Sequence, residues 1–153
     1  MYDRETVRTT NALFFTSFGK YMMKQRSNSG NKVNWINYKT GVKCLYFRLE
    51  VDQHSARVCI DIQHKDEYIR ELLFEQFLSL KTIFNTVTDN NWNWIESYEN
   101  ETGNTFSRIY AEIEEVNIYK KESWHPIFNF YKHSLLKIDD FWVDYKDLFL
   151  QMQ

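Results

Sequence analysis

The sequence predicts a single α+β domain, in which an antiparallel sheet of about five strands is packed by an N-terminal helix, a central helix and a long C-terminal helix. Three observations predict this class. Apolar residues recur at helical spacing in three segments, and two pairs of segments alternate as hairpins do. A chain of 153 residues with 43% apolar content also suits one core. The expected order over residues 1–153 is α-β-β-β-α-β-β-α.

The first predicted helix covers about residues 3–23, and a polar loop with one glycine follows at residues 25–32. Residues 33–38 are predicted to form a short strand, and Lys39-Thr40-Gly41 signals a turn. The apolar positions that predict the helix recur in steps of three and four and are Val7, Thr10, Phe14, Phe18 and Tyr21.

Residues 42–51 and 56–63 are predicted to form the first hairpin, because apolar and polar residues alternate in both. A turn at residues 52–53 would place Phe47 opposite Val58 on the buried face. On the other face the same register would place Arg48 beside Arg57. Like charges in that position destabilise a sheet unless a carboxylate or an anion separates them, which suggests a second anion site there.

Acidic residues Asp66 and Glu67 predict the start of a central helix that residues 89–91 end. A second hairpin follows, with strands at about residues 92–98 and 105–113. Ile109, Ala111 and Ile113 are expected to face inward, and Phe106, Arg108 and Tyr110 outward. The apolar stripe of the central helix consists of Ile69, Leu73, Phe77, Leu80, Phe84 and Val87.

From Ser123, the expected N-cap, the chain is predicted to be helical to its end, with Pro126 tolerated in the first turn. Large apolar residues alternate steps of four and three along it, which is typical of helix-on-helix packing. That packing is intramolecular or, alternatively, forms a homodimer through the C-terminal helix. Asp139 and Asp140 are an alternative break in the helix. The apolar seam consists of Trp124, Phe128, Tyr131, Leu135, Ile138, Trp142, Tyr145, Phe149 and Met152.

Charge is partitioned along the chain, although the net charge is only −2. Residues 1–48 carry a charge of about +7, residues 49–153 carry about −9, and residues 6–49 contain no acidic residue. Such a partition suggests an anionic ligand at the basic end, or pairing of the two ends within or between chains.

The basic segment has the composition of a nucleic-acid interface, since lysines and arginines neutralise phosphates, aromatic rings stack on bases and amides bind either. We therefore predict a non-enzymatic module that binds nucleic acid or another polyanion. The alternatives are a solvated basic face that pairs with the acidic remainder, and a homo-oligomeric interaction module. The candidate binding residues are Lys24, Arg26, Lys32, Trp35, Lys39 and Lys43, with Arg48 and Arg57 as the secondary anion site.

A less favoured alternative is a degenerate relative of the PD-(D/E)xK nucleases, because the predicted order helix, three strands, helix, strand matches their core. Glu50 and Asp61 fall on the appropriate strands. Such enzymes need two carboxylates for Mg²⁺ and a lysine to orient water, however, and Gln63 occupies the lysine position. In the predicted register the two carboxylates also lie far apart, so no catalytic residue is assigned.

The sequence offers no motif for a cofactor or a metal. It contains no GxGxxG, P-loop, HExxH or GxSxG pattern, and the four histidines have no metal or triad spacing. Cys44 and Cys59 are expected to be reduced and buried. No run of eighteen apolar residues and no apolar stretch near the N-terminus occurs, which predicts a cytoplasmic protein with no membrane partner.

Five short motifs of the chain are N-W-I-N-Y-K-T-G-V-K (residues 34–43), Y-F-R (46–48), L-F-E-Q-F-L-S-L-K (73–81), S-R-I-Y (107–110) and F-W-V-D-Y-K (141–146). Taken together, they resemble a bacterial family of unknown function. Its members occur alone or as the C-terminal domain of larger proteins with restriction-endonuclease-like parts. The resemblance spans nearly the whole chain and implies a small cytoplasmic bacterial protein in a DNA-related setting, with no catalytic residues to assign.

Overall fold

The computed structural model describes residues 2–89 and 91–152 and confirms the α+β class. Within those residues the sheet has four strands rather than about five, and four helices flank it. The elements in chain order are α1 (Arg4–Tyr21), β1 (Leu45–Val51), β2 (Ser55–Ile62), α2 (Glu67–Ser79), α3 (Lys81–Thr88), β3 (Asn93–Glu99), β4 (Thr105–Glu114) and α4 (Lys121–Leu150).

The four strands form one antiparallel sheet in the order β1-β2-β4-β3, so β1 and β3 are its edges. One face contributes Phe47, Ile60 and Ile109 to the core shared with the helices. The other face carries charged and aromatic side chains, as the alternation of the sequence predicts. None of the described helices combines the length and the apolar character that a membrane crossing requires.

The helix α1 begins where the Asp3 side chain accepts a hydrogen bond from the backbone N–H of Thr6, at 2.7 Å. Its buried residues Phe14 and Phe18 pack on aromatic residues of α4. The ring of Phe14 lies 5.1 Å from Phe128 and 6.2 Å from Tyr131, centroid to centroid. The C-terminal part of the predicted apolar face therefore packs on α4, whereas Val7, which was predicted on the same face, is 37% exposed.

The predicted strand at residues 33–38 is wrong, and this accounts for the missing fifth strand. The side-chain oxygen of Asn34 accepts hydrogen bonds from the backbone N–H groups of Ile36 and Asn37, at 3.2 and 3.1 Å. Such local bonds hold the backbone in a turn and compete with a strand. Residues 22–44 are therefore a long connection, which contains one isolated bridge between Arg26 and Lys32.

The first hairpin has the predicted faces but a register shifted by two residues. Phe47 pairs with Ile60 rather than with Val58. The cause is the turn, in which the Asp52 carboxylate accepts the backbone N–H groups of His54 and Ser55 at 2.7 and 2.9 Å. This turn is longer than predicted, and a shift of two residues leaves every side chain on its predicted face.

The central helix is two helices, because α2 ends at Ser79 and α3 begins at Lys81. The Ser79 hydroxyl donates to the carbonyl of Gln76 at 2.7 Å, next to the break at Leu80. The helix end predicted at residues 89–91 is correct at Asp89, which has a left-handed φ of 55°. Asn90, the middle residue of that prediction, lies outside the described residues.

The helix α4 is continuous, so the alternative break at Asp139 and Asp140 does not occur. It starts at Lys121, and Ser123 is not its N-cap; the Ser123 hydroxyl instead accepts the N–H of Asn117. Pro126 consequently lies inside the helix. Most of the predicted apolar seam is buried within this chain, and Tyr145 and Met152 are partly buried. Gln153 lies outside the described residues.

Candidate nucleic-acid interface

The long basic connection, residues 22–44, is fixed to α4 by a single buried carboxylate. Asp139 is 1% exposed, and it accepts hydrogen bonds from the Ser27 hydroxyl at 2.9 Å and the Asn28 N–H at 2.7 Å. The phenol of Tyr38 donates to the same carboxylate. Burial and the neighbouring Asp139 together raise the pKa of Tyr38 above its ordinary value, so this phenol stays a donor.

Two tryptophans tie the backbone of the connection to the core. The Trp35 indole donates to the carbonyl of Gln25 at 3.2 Å, and the Trp142 indole donates to the carbonyl of Thr40 at 2.9 Å. Trp35 is only 4% exposed. Of the predicted binding residues, Trp35 is therefore in the core, where its ring is not accessible for stacking on a base.

A cleft of about 530 Å³ opens between this connection and α4. Its volume lies in the usual range of ligand sites, about 300–1,000 Å³. Lys32 and Lys39 of the basic connection line it together with Lys146 of α4, and none of the described residues that line it is acidic. The remaining lining residues are Ser27, Ser29, Asn31, Val33, Asn34, Asn37, Tyr38, Trp142 and Val143.

The charged groups of the cleft are all hydrogen-bond donors. Three lysine ammonium groups line it. The side-chain oxygen of Asn34 is used by two backbone N–H groups, which leaves its NH₂ as the group that can serve a ligand. Such a lining is complementary to the oxygens of an anion, and phosphate oxygens accept hydrogen bonds from these groups.

Gly41 allows Lys146 to lie in this cleft. Its φ is +81°, a conformation that favours glycine, and a Cβ added there would lie 2.6 Å from the Lys146 ammonium nitrogen. The turn predicted at residues 39–41 thus has a second role, which is to give space to a cation of the C-terminal helix. Sequence reasoning missed Lys146, although it ends the F-W-V-D-Y-K motif.

The other predicted cations of the segment, Lys24, Arg26 and Lys43, are exposed but do not line the cleft. Over residues 2–89 and 91–152, no ion pair involves Lys24 or Arg26, and the same holds for Lys32 and Lys39. The structure thus brings Lys32 and Lys39 together, and it leaves the other three outside the cleft.

A family model described as Domain of unknown function (DUF4268) matches residues 11–146. The chain belongs to this family. The match includes the basic connection, Asp139 and all three lysines of the cleft. No curated protein and no solved structure gives a significant match to the chain.

In this DUF4268 domain the predicted pair of arginines does not form. Because the register is shifted, Arg48 lies opposite Cys59, and Arg57 lies opposite Glu50. Arg48 donates to Asp61 at 3.1 Å, and Arg57 forms an ion pair with Glu112. Both guanidinium groups thus already have carboxylate partners, which removes the reason for an anion between them.

The two carboxylates considered for a nuclease site of the domain are bridged by Arg108, which is 3% exposed. Its guanidinium donates to both oxygens of Glu50 at 3.0 Å and to Asp61 at 2.7 Å. Burial alone would lower the pKa of Arg108, but these hydrogen bonds outweigh it and raise that pKa. Over the described residues, no cluster of three or more His, Cys, Asp or Glu side chains is placed to hold a metal.

Proposed function

We propose that this DUF4268 domain is a non-enzymatic module that binds nucleic acid through its phosphates. The observation that carries the proposal is the cleft that Lys32, Lys39 and Lys146 line and in which no described lining residue is acidic. Each lysine can neutralise one phosphate, and the release of condensed counterions then favours binding.

The ion pairs of the domain support this use of the basic connection. The acidic partners of the paired arginines all lie in the acidic part of the chain, residues 49–153. These arginines are Arg48, Arg57, Arg70 and Arg108. These pairs serve the sheet and α2. Within the described residues, the carboxylates of the domain therefore do not neutralise the lysines of the cleft through direct contact, and the field of the basic segment is available to an anionic ligand.

The buried carboxylate of Asp139 supplies preorganisation. It fixes both ends of the stretch that carries Lys32, through Ser27 on one side and Tyr38 on the other. A connection held in this way loses little further conformational freedom when a ligand binds, which favours affinity. Lys24, Arg26 and Lys43 flank the cleft in sequence, and we assign them the role of attracting the ligand at longer range.

The resemblance of the sequence motifs supplies the setting of the proposal. We propose a bacterial cytoplasmic protein that acts beside restriction-endonuclease-like proteins or domains, where a nucleic-acid-binding module has an evident use. This part of the proposal rests on the restriction-endonuclease-like parts with which members of the resembled family occur, and not on the geometry of the cleft.

The test is fluorescence anisotropy with labelled single-stranded and duplex DNA and RNA. Two triple variants of equal charge are compared: Lys32→Gln, Lys39→Gln, Lys146→Gln in the cleft, and Lys65→Gln, Lys81→Gln, Lys120→Gln at exposed positions outside it. The cleft variant is expected to weaken binding by about tenfold or more at moderate salt, since three phosphate contacts are lost.

The control variant is expected to bind within about threefold of the unaltered protein, because it changes only the distant field. Equal losses in the two variants would contradict the proposed cleft. Absence of binding by the unaltered protein at low salt would contradict nucleic-acid binding itself.

A further inference from the structure

A second groove, of about 480 Å³, lies directly beside the lysine cleft. The two cavities share Asn37 and Tyr38 as lining residues, so they adjoin at these two residues. The groove follows β1, which is an edge strand of the sheet. Its other lining residues are Phe15, Ile36, Tyr46, Phe47, Arg48, Leu49 and Glu50.

The groove contains an exposed tyrosine ring with a carboxylate-paired arginine on one of its faces. Tyr46 is 42% exposed, and the Arg48 guanidinium, which pairs with Asp61, covers one face of its ring at 4.4 Å from the centroid. Only the opposite face of the ring can take a base. Glu50, the acidic residue that lines the groove, is held by Arg108 through two hydrogen bonds of 3.0 Å. The groove therefore combines an aromatic surface with little uncompensated negative charge.

We infer that the cleft and the groove form one path for single-stranded nucleic acid, with a phosphate between the three lysines and a base of a neighbouring nucleotide stacked on Tyr46. This inference rests on the proposed function. An aromatic ring beside a cationic channel is the combination by which proteins bind single strands without reading their sequence. A duplex keeps its base faces stacked inside, so Tyr46 serves only an unpaired base.

The contiguity of the two cavities is the reason to assign this occupant to the groove. Because both cavities are lined by Asn37 and Tyr38, a strand held by a phosphate in the cleft can continue past these residues to the edge of β1. Binding should then depend on strand length, because a mononucleotide fills the cleft alone and a longer strand also reaches Tyr46.

The test measures the affinity of the protein for thymidine 5′-monophosphate and for an oligothymidylate of about eight nucleotides. The variants are Tyr46→Ala and Tyr46→Phe, with Tyr68→Ala as the control because Tyr68 is exposed on α2 and lines neither cavity. We expect Tyr46→Ala to weaken the binding of the oligonucleotide by about fivefold or more and to leave the affinity for the mononucleotide unchanged. Tyr46→Phe keeps the ring and should bind as the unaltered protein does, as should Tyr68→Ala.

Crosslinking keeps the test independent of the folding of the variants. An oligonucleotide with 5-iodouracil, photolysed on the unaltered protein, is expected to crosslink within residues 46–50. Crosslinks confined to other residues would overturn the inference, as would equal affinity for duplex and single strand, or an unchanged oligonucleotide affinity in a folded Tyr46→Ala protein. In these cases the triple lysine variant still decides the proposed function separately. No binding of any nucleic acid by the unaltered protein would overturn both.

Discussion

The residue that organises the basic surface is the acidic Asp139. The sequence marks it only as a neighbour of Asp140 that could break a helix, because helical periodicity says nothing about which distant groups a side chain meets. In the structure it is buried and binds Ser27, Asn28 and Tyr38, residues more than 100 positions away. A contact of that sequence separation is set by the whole fold.

Lys146 was missed for a related reason. The candidate cations other than Arg57 all lie in the basic first third of the chain, where residues 6–49 contain no acidic residue. Lys146 belongs to the acidic part and reaches the cleft only because α4 runs back along the connection. Trp35, by contrast, has the residue type of a stacking platform but is needed in the core.

Gly41 gives a prediction at the scale of single residues. We expect Gly41→Ala to weaken nucleic-acid binding, because the added methyl would displace the flexible end of Lys146 from its observed position in the cleft. Gly103→Ala is the matched control, since Gly103 has a φ of +84° and nothing within 4 Å of an added Cβ. Both variants should lose about 1–2 kcal/mol of unfolding free energy through backbone strain.

The two variants should differ in binding, measured by anisotropy after their stabilities have been compared by urea unfolding. Weaker binding by the Gly41→Ala protein, with unchanged binding by the Gly103→Ala protein, would support a contribution of Lys146 from its observed position. Identical binding by the two would show that Lys146 does not contribute from its observed position.

At the scale of secondary-structure elements, periodicity predicted which faces are buried but not how the elements join. The side chains of Phe47 and Ile60 lie on the predicted face, although their pairing is shifted by two residues. The side chain of Asp52 sets that shift through the turn, and the side chain of Asn34 likewise replaces the predicted strand by a turn. Short polar side chains that bond to nearby backbone are thus the common cause of the errors.

The joint between the basic connection and α4 gives a prediction at this scale. Asp139→Asn removes the charge that three donors share, so we expect a loss of about 2 kcal/mol of unfolding free energy. The control is Asp140→Asn, the next residue along α4, which should change the unfolding free energy by less than about 0.5 kcal/mol. Urea unfolding followed by circular dichroism measures both. A loss of similar size in the two variants would contradict the anchoring role of Asp139.

At the scale of the whole molecule, the charge partition is the feature that the sequence states most clearly. The net charge of the chain is only −2, although its first third is basic. The structure shows that the ion pairs of the described residues leave Lys32 and Lys39 out and that a lysine of the acidic part joins them. The fold thus concentrates positive charge at one cleft. Counting charges along the sequence predicts that the first third is basic, but it does not predict where in the structure the cations meet.

The salt dependence of binding is the sharpest test of phosphate binding in the cleft, because it counts the phosphates that the cleft neutralises. Anisotropy titrations of a single-stranded oligonucleotide from about 50 to 200 mM salt give the slope of log K against log salt concentration. Replacement of Lys32, Lys39 and Lys146 by glutamine should reduce the magnitude of that slope by about 2, since each phosphate contact of a single strand contributes about 0.7. A slope that is the same in the unaltered protein and the triple variant would contradict phosphate binding in the cleft, because the phosphates would then be neutralised elsewhere.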